Sequence, residues 1–165
     1  MACTCLGAPP TILAMDESWV LIDGSTGLHV SWYFWLRVLD EVNRAARYGA
    51  PFALLLLDAE VSPNKPKLVD EAPSYVSGAI RSSDLGGAMG RGSAAVLLTQ
   101  QDAAAAVLAR ERILDRLSAS CPAGIAWRTE VLCYPEDGAE ITNLLTGGWE
   151  HRTSGQATSS LGRLA

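Results

Sequence analysis

The chain has 165 residues and a mass of 17.5 kDa, and 48% of its residues are hydrophobic while 19% are charged, a composition that indicates one globular domain and excludes a disordered chain. Its formal net charge of −5 excludes bulk binding to a nucleic acid polymer, because such binding needs a surplus of basic residues. The longest apolar run is far shorter than the roughly 18–20 residues of a membrane span, and no secretory signal opens the sequence, so we expect a cytoplasmic protein without a membrane span.

The first part of the chain predicts one helix and one buried strand. Residues 1–22 form an N-terminal lead-in that begins with small residues and prolines. From Val30 onward, apolar residues recur at helical spacing, which predicts a helix over residues 29–48 that ends at Gly49. The continuous apolar run of residues 52–57 then predicts a central strand that is buried on both faces.

The middle of the chain predicts a weak helix and a β-hairpin. Two prolines within residues 61–66 indicate a loop, and residues 68–82 predict a helix that Pro73 interrupts. Short apolar segments at residues 85–89 and 94–99 flank a turn that contains glycines. This pattern is typical of a β-hairpin.

The last part of the chain predicts two helices around one strand. The helices cover residues 101–118 and 139–145, and the strand covers residues 124–133. Residues 147–165 are rich in Gly, Ser and Thr, which predicts a flexible tail and leaves residues 23–146 as the domain. The order of these elements predicts an α/β domain whose helices pack on a mixed sheet.

Four short motifs follow one another along the chain. Residues 23–28 read D-G-S-T-G-L, residues 52–58 F-A-L-L-L-L-D, residues 81–84 R-S-S-D and residues 133–138 C-Y-P-E-D-G. Together they resemble the opening motif, the core strand, the R-x-x-D motif and the Y-P-x-D-G turn of the GGDEF family, the diguanylate cyclases that make cyclic di-GMP from two GTP molecules. The resemblance covers residues 23–145. It implies a palm similar to that of nucleotidyl cyclases, with a mixed central sheet flanked by helices and a β-hairpin at the signature.

The signature loop departs from the pattern of an active cyclase. The residues that stand where the family has G-G-[DE]-E-F are Gly90, Arg91, Gly92, Ser93 and Ala94. In the family, the core strand and the third signature position supply carboxylates to Mg²⁺, which prefers hard oxygen ligands. Gly92 has no carboxylate, so Asp58 and Glu60 are the residual metal candidates. The resemblance therefore implies a degenerate domain with no cofactor, and with Mg²⁺ only if residual nucleotide binding persists.

Two further parts of the family's catalytic site have no counterpart. The segment between Asp58 and Arg81 is shorter than in active members and lacks the stretch that holds the guanine base. The Lys or Arg that contacts phosphate on the family's final helix has no match after residue 146. These losses imply that the chain is not an enzyme. A residual enzyme or nucleotide-binding protein that uses Asp58 and Glu60 is the hypothesis ranked last.

The family's inhibitory, product-binding motif is retained. Arg81 and Asp84 keep its R-x-x-D spacing, and Arg112 matches its helper arginine on the following helix. Guanidinium groups make forked hydrogen bonds to phosphate or guanine, while a carboxylate accepts from the N–H groups of the base. The resemblance implies that these three residues bind cyclic di-GMP and that Arg91 could add a phosphate contact. The residues alone also allow a surface ion pair between Arg81 and Asp84 at a helix end, and a solvated Arg91.

Residues 32–35 are four consecutive aromatic side chains on the first predicted helix. Rings on more than one face of a helix favour an interface, here with a second copy of the chain or with a partner domain. The leading hypothesis is therefore an inactive domain that acts as a cyclic di-GMP receptor in signalling. The alternative is a scaffold without a ligand that forms a homodimer or docks onto a signalling protein.

Overall fold

The computed structural model of the chain describes residues 21–148. Its elements, in chain order, are α1 (Ser31–Tyr48), β1 (Phe52–Val61), α2 (Leu68–Ala79), β2 (Leu85–Ala88), β3 (Ser93–Thr99), α3 (Ala103–Ser120), β4 (Ile125–Tyr134) and α4 (Gly138–Asn143), followed by a π-helical turn (Leu144–Gly148). The predicted lead-in, residues 1–22, and the predicted tail, residues 147–165, lie outside the described residues, except for residues 21–22 and 147–148. No helix within residues 21–148 combines the length and the apolarity needed to cross a bilayer.

The four strands form one sheet in the order β2-β3-β1-β4, and every pair of neighbours is antiparallel. The sequence predicted a mixed sheet. Within residues 21–148, the one parallel pairing is an isolated bridge between His29 and Gly87. A strand with helices on both of its faces is apolar throughout, whatever the direction of its neighbours, so the run at residues 52–57 could not reveal the direction of pairing.

The central strand β1 divides the core into two layers. Ala53, Leu55 and Leu57 are buried on the face that α2 and α3 cover, together with residues such as Val76 and Ile113. The alternate residues of β1 are buried on the other face, against α1 and α4. Helices therefore flank the sheet on both sides, as the sequence predicted.

Strand β1 is longer than the sequence predicted. The apolar run ends at Leu57, but pairing with β4 continues to Val61. The prediction was based on apolar residues, and these end where the strand is no longer buried. The hydrogen bonds to β4 continue further because β4 is as long as β1. Asp58 and Glu60 therefore lie on the strand itself.

Helix α2 is continuous through Pro73, which the sequence analysis took as an interruption. Proline removes one helical hydrogen bond, but Ala72, Val76 and Ala79 pack into the core on the same helix and outweigh that loss. The helix ends at Ala79 instead of extending to residue 82. Arg81 consequently lies beyond the helix, in the turn that leads to β2.

Candidate functional site

Arg81, Asp84 and Arg112 come together beside the start of β2, and we call these three residues the Asp84 cluster. Arg81 and Asp84 lie in the turn between α2 and β2, where the backbone amide of Asp84 donates to the carbonyl of Arg81 at 3.0 Å. Oδ2 of Asp84 accepts from the backbone N–H of Arg81 at 3.0 Å and from Nη2 of Arg112 on α3 at 3.1 Å. The protein's own contacts thus assemble the cluster and join the turn to α3.

The Asp84 cluster has more positive than negative charge. The side chain of Asp84 is 5% exposed and that of Arg112 is 22% exposed, while Arg81 is exposed. Burial is the largest cause that lowers the pKa of Arg112; the charge of Arg81 lowers this pKa further, and the charge of Asp84 acts in the opposite direction. Arginine nevertheless stays protonated in proteins. Of the two guanidinium groups only that of Arg112 is paired with the carboxylate, and an anionic group at this place would relieve the repulsion between the two arginines.

The guanidinium of Arg81 makes no hydrogen bond and no ion pair with any residue in the described range 21–148. The sequence left open a surface ion pair between Arg81 and Asp84 at a helix end. In the structure the helix ends earlier, and the carboxylate of Asp84 is turned inward to Arg112. The forked donors of Arg81 are therefore available to a ligand.

Arg91 does not join the Asp84 cluster. It lies at the tip of the β2–β3 hairpin, where its Nε donates to Oδ1 of Asp70 on α2 at 2.8 Å. Strand β2 separates Arg91 from the Asp84 cluster. It has four residues and is therefore roughly 13 Å long. Both partners are well exposed, 67% and 60%, so this ion pair contributes little to stability.

The signature residues form the predicted turn of a β-hairpin. The turn closes with the amide of Ser93 donating to the carbonyl of Gly90 at 3.2 Å, and Gly90 and Gly92 have φ values of 112° and 75°, which favour glycine. A Cβ atom at Gly92 would lie 2.6 Å from Cγ2 of Val69 on α2. Helix α2 therefore occupies the space beside the third signature position, where the family has a carboxylate.

Asp58 is paired within the sheet. It lies opposite Ser93 on β3 and Arg128 on β4. The hydroxyl of Ser93 donates to Oδ1 of Asp58 at 2.7 Å, and Nη2 of Arg128 lies 3.5 Å from Oδ2. Glu60 is two residues further along β1 and exposed. Any cation that approached Asp58 would have to compete with this guanidinium, and within residues 21–148 no group of three or more metal-ligating side chains is found.

An open depression lies between residues 61–66 and the hairpin tip. Its volume is about 280 Å³, and it is lined by Val61, Ser62, Pro63, Pro66, Val69 and Arg91. Sites for small molecules usually measure about 300–1,000 Å³, and no carboxylate lines this one. The depression is thus slightly smaller than the usual range of such sites.

Two arginines were not predicted from the sequence: Arg128, which lies beside Asp58, and Arg116, which lies on α3 with Arg112. Arg128 could not be found without the register that sets it opposite Asp58. Arg116 follows Arg112 by one helical turn, and its Nη1 donates to the carbonyl of Ala79 at 3.2 Å. Residues four apart lie on one face of a helix, so the sequence did contain a signal that Arg116 lies on the same helix face as Arg112.

No protein-family model matches this chain, and no curated protein matches it. Among solved structures, it is similar to a DGC protein from Thermotoga maritima, with a TM-score of 0.57 and 22% identity over 75% of this chain and 97% of that chain. A sensory box/GGDEF family protein from Caulobacter crescentus has a TM-score of 0.62 and 19% identity over 82% of this chain and 100% of that chain. The GGDEF domain of DgcB from Caulobacter crescentus, in complex with c-di-GMP, has a TM-score of 0.62 and 14% identity over 81% of this chain and 90% of that chain. The chain therefore has the fold of GGDEF domains, and the predicted resemblance is confirmed at the level of the fold.

Proposed function

We propose that this chain is a catalytically inactive domain of the GGDEF fold that binds cyclic di-GMP at the Asp84 cluster. The observation that supports the proposal most directly is the assembly of Arg81, Asp84 and Arg112 by the protein's own contacts. A site whose polar groups are already positioned loses less entropy when a ligand binds. The GGDEF domain of DgcB, which has the same fold, forms a complex with c-di-GMP.

The chemistry of the cluster fits this ligand. Arg81 offers a fork of N–H donors that no residue in the range 21–148 occupies, and such a fork suits a phosphate or the O6 and N7 atoms of guanine. Oδ1 of Asp84 accepts from the hydroxyl of Ser83 at 3.4 Å, and a carboxylate oxygen can accept a second hydrogen bond, here from an N–H group of the base. The surplus positive charge of the cluster complements the phosphates of a cyclic dinucleotide.

Catalytic inactivity is supported at the signature hairpin. Gly92 supplies no carboxylate, and Val69 fills the space that such a side chain would need. Asp58 is held by Ser93 and Arg128. Without a pair of free carboxylates, the protein has little means to hold the divalent cations that offset the charge of two triphosphates.

Isothermal titration with cyclic di-GMP tests the receptor proposal. We expect binding at micromolar or lower concentration, and an affinity that is lower by about 1–3 kcal/mol in Arg81→Ala because a forked contact is lost. The matched control is Arg37→Ala, which removes another exposed guanidinium, one that pairs with Asp40 on α1 on the other side of the sheet. Absence of binding by the wild-type protein, or equal binding by Arg81→Ala, would contradict the proposal.

Incubation with GTP and Mg²⁺ or Mn²⁺, followed by chromatography for linear and cyclic dinucleotides, tests the inactivity. We expect no product above a blank without protein. Turnover that is abolished by Asp58→Asn would instead support the hypothesis of a residual enzyme.

A scaffold is the second candidate function, because α1 presents an exposed apolar stripe. Trp32, Leu36 and Leu39 are 49%, 47% and 45% exposed and lie on one helix face; we call them the α1 stripe. Of the aromatic run at residues 32–35, Phe34 is fully buried, so the rings do lie on more than one face of the helix. Failure of the titrations, combined with self-association through the α1 stripe, would favour this second function.

A further inference from the structure

A groove separates α2 from α3 next to the Asp84 cluster. It has a volume of about 520 Å³ and is lined by Ser74, Tyr75, Ser77, Gly78, Arg116, Ala119 and Ser120. This volume is within the usual range of small-molecule sites, about 300–1,000 Å³. Small residues, Ser74, Ser77, Gly78, Ala119 and Ser120, make up most of its lining.

Arg116 connects this groove to the Asp84 cluster. Its Nη1 donates to the carbonyl of Ala79, the last residue of α2, and Arg81 follows only two residues later. The charge of Arg116 also acts on Arg112, one helical turn away. One row of guanidinium groups therefore extends from Arg81 past Arg112 into the groove.

The lining of the groove provides three kinds of contact. Arg116 is a cation and a donor, and no carboxylate is among the lining residues. The hydroxyls of Ser74, Ser77 and Ser120 donate to helix carbonyls at 2.7–2.9 Å, so their oxygens remain acceptors for N–H groups. Tyr75 adds an aromatic ring. A cation for phosphate, acceptors for N–H groups and a ring for stacking are what a nucleotide requires.

We propose that the groove between α2 and α3 is a second subsite, in which Arg116 and the serine-lined wall bind the second nucleotide half of a cyclic dinucleotide whose first half occupies the Asp84 cluster. This inference rests on the proposed receptor function. Its physical basis is that a cyclic dinucleotide has two phosphates and two bases, whereas the Asp84 cluster offers one carboxylate and one unpaired guanidinium. The groove lies directly beside it and has complementary chemistry.

Two variants test the subsite by titration with cyclic di-GMP. Arg116→Ala removes the cation, and Gly78→Leu adds an apolar side chain to the lining of the groove at a position where a Cβ would meet no atom within 4 Å. We expect each variant to bind cyclic di-GMP at least about tenfold more weakly, because the loss of one forked or stacking contact has an effect of this size. Gly78→Leu should not lower the melting temperature, because leucine is a better helix former than glycine.

Matched controls are Arg37→Ala for the charge and Ala46→Leu for the added volume, both at exposed positions of α1. Unchanged affinity in both subsite variants, with normal binding by the wild-type protein, would overturn the subsite and leave the receptor function standing. A loss in Arg116→Ala alone would also overturn it, because Arg116 would then only position the turn after Ala79. Absence of binding by the wild-type protein would overturn both proposals.

Discussion

At the scale of single residues, Arg81 and Arg112 carry the same charge but have different roles. Arg112 is the partner of a carboxylate that is 5% exposed, whereas the guanidinium of Arg81 is directed to solvent. A buried polar group that loses its partner costs about 1–3 kcal/mol, while an exposed substitution usually changes stability by less than about 0.5 kcal/mol. Affinity and stability should therefore respond differently to the two arginines.

We expect Arg112→Ala to lower the free energy of unfolding by roughly 1–3 kcal/mol, because Asp84 would lose its charged partner and keep only the backbone N–H of Arg81 and, at 3.4 Å, the hydroxyl of Ser83. Arg81→Ala should leave this free energy unchanged and still weaken the binding of cyclic di-GMP. Urea denaturation of both variants, at one pH and salt concentration, measures the difference. Equal stability of the two variants would show that Arg112 does not hold Asp84 in solution.

The sequence was sufficient to find Arg81, Asp84 and Arg112 because the R-x-x-D spacing is local and the helper arginine belongs to a recognisable helix. It could not show that Asp84 turns inward to Arg112, since that contact joins residues 28 positions apart. Arg128 was missed for a similar reason: its place beside Asp58 depends on the register between β1 and β4. Register follows from the packing of whole strands and is not a property of a motif.

At the scale of elements, helix α2 and the signature hairpin fit each other closely. A Cβ at Gly92 would lie 2.6 Å from Val69, and insertion of atoms into a packed contact costs about 1–3 kcal/mol. We expect Gly92→Ala to destabilise the wild-type protein more than it destabilises the Val69→Ala variant. The backbone cost of alanine at a φ of 75° is common to both backgrounds and cancels in the comparison.

Urea denaturation of the four proteins in this double-mutant cycle measures the coupling. A coupling energy near zero would mean that α2 moves away from the hairpin at no cost, and the space beside Gly92 would then be able to hold a side chain. In that case the packing beside Gly92 would give no support to the proposed inactivity. The distance of 2.6 Å between a Cβ at Gly92 and Val69 predicts the opposite result, and we expect the Gly92→Glu variant to show no turnover of GTP.

The elements themselves were predictable to the extent that their patterns are local. The hairpin, α1, α3 and the strand that begins at Phe52 follow from periodicity and glycine positions, and the structure confirms them. The continuity of α2 through Pro73 was not predictable, because core packing at Val76 and Ala79 compensates for a local defect. The antiparallel direction of the pairs that β1 makes with β3 and β4 was equally hidden, since β1 is buried on both faces.

At the scale of the whole molecule, the two candidate functions occupy opposite sides of the sheet. Arg112 belongs to α3, which packs on the face formed by Ala53, Leu55 and Leu57. The α1 stripe belongs to the helix that covers the other face. Contacts made at the stripe therefore lie across the sheet from the Asp84 cluster, and we expect that a substitution at one of the two places leaves the other candidate function unchanged.

We expect sedimentation velocity of the wild-type protein to show concentration-dependent self-association through the α1 stripe, because burial of apolar area on one helix face favours contact with a second copy. Leu36→Glu should weaken this association and fold normally, since Leu36 is 47% exposed, and it should leave the affinity for cyclic di-GMP unchanged. Arg81→Ala should weaken the binding of cyclic di-GMP and leave the self-association unchanged. If Leu36→Glu also weakened ligand binding, the two sides of the sheet would be coupled, and association of two chains would be part of the binding site.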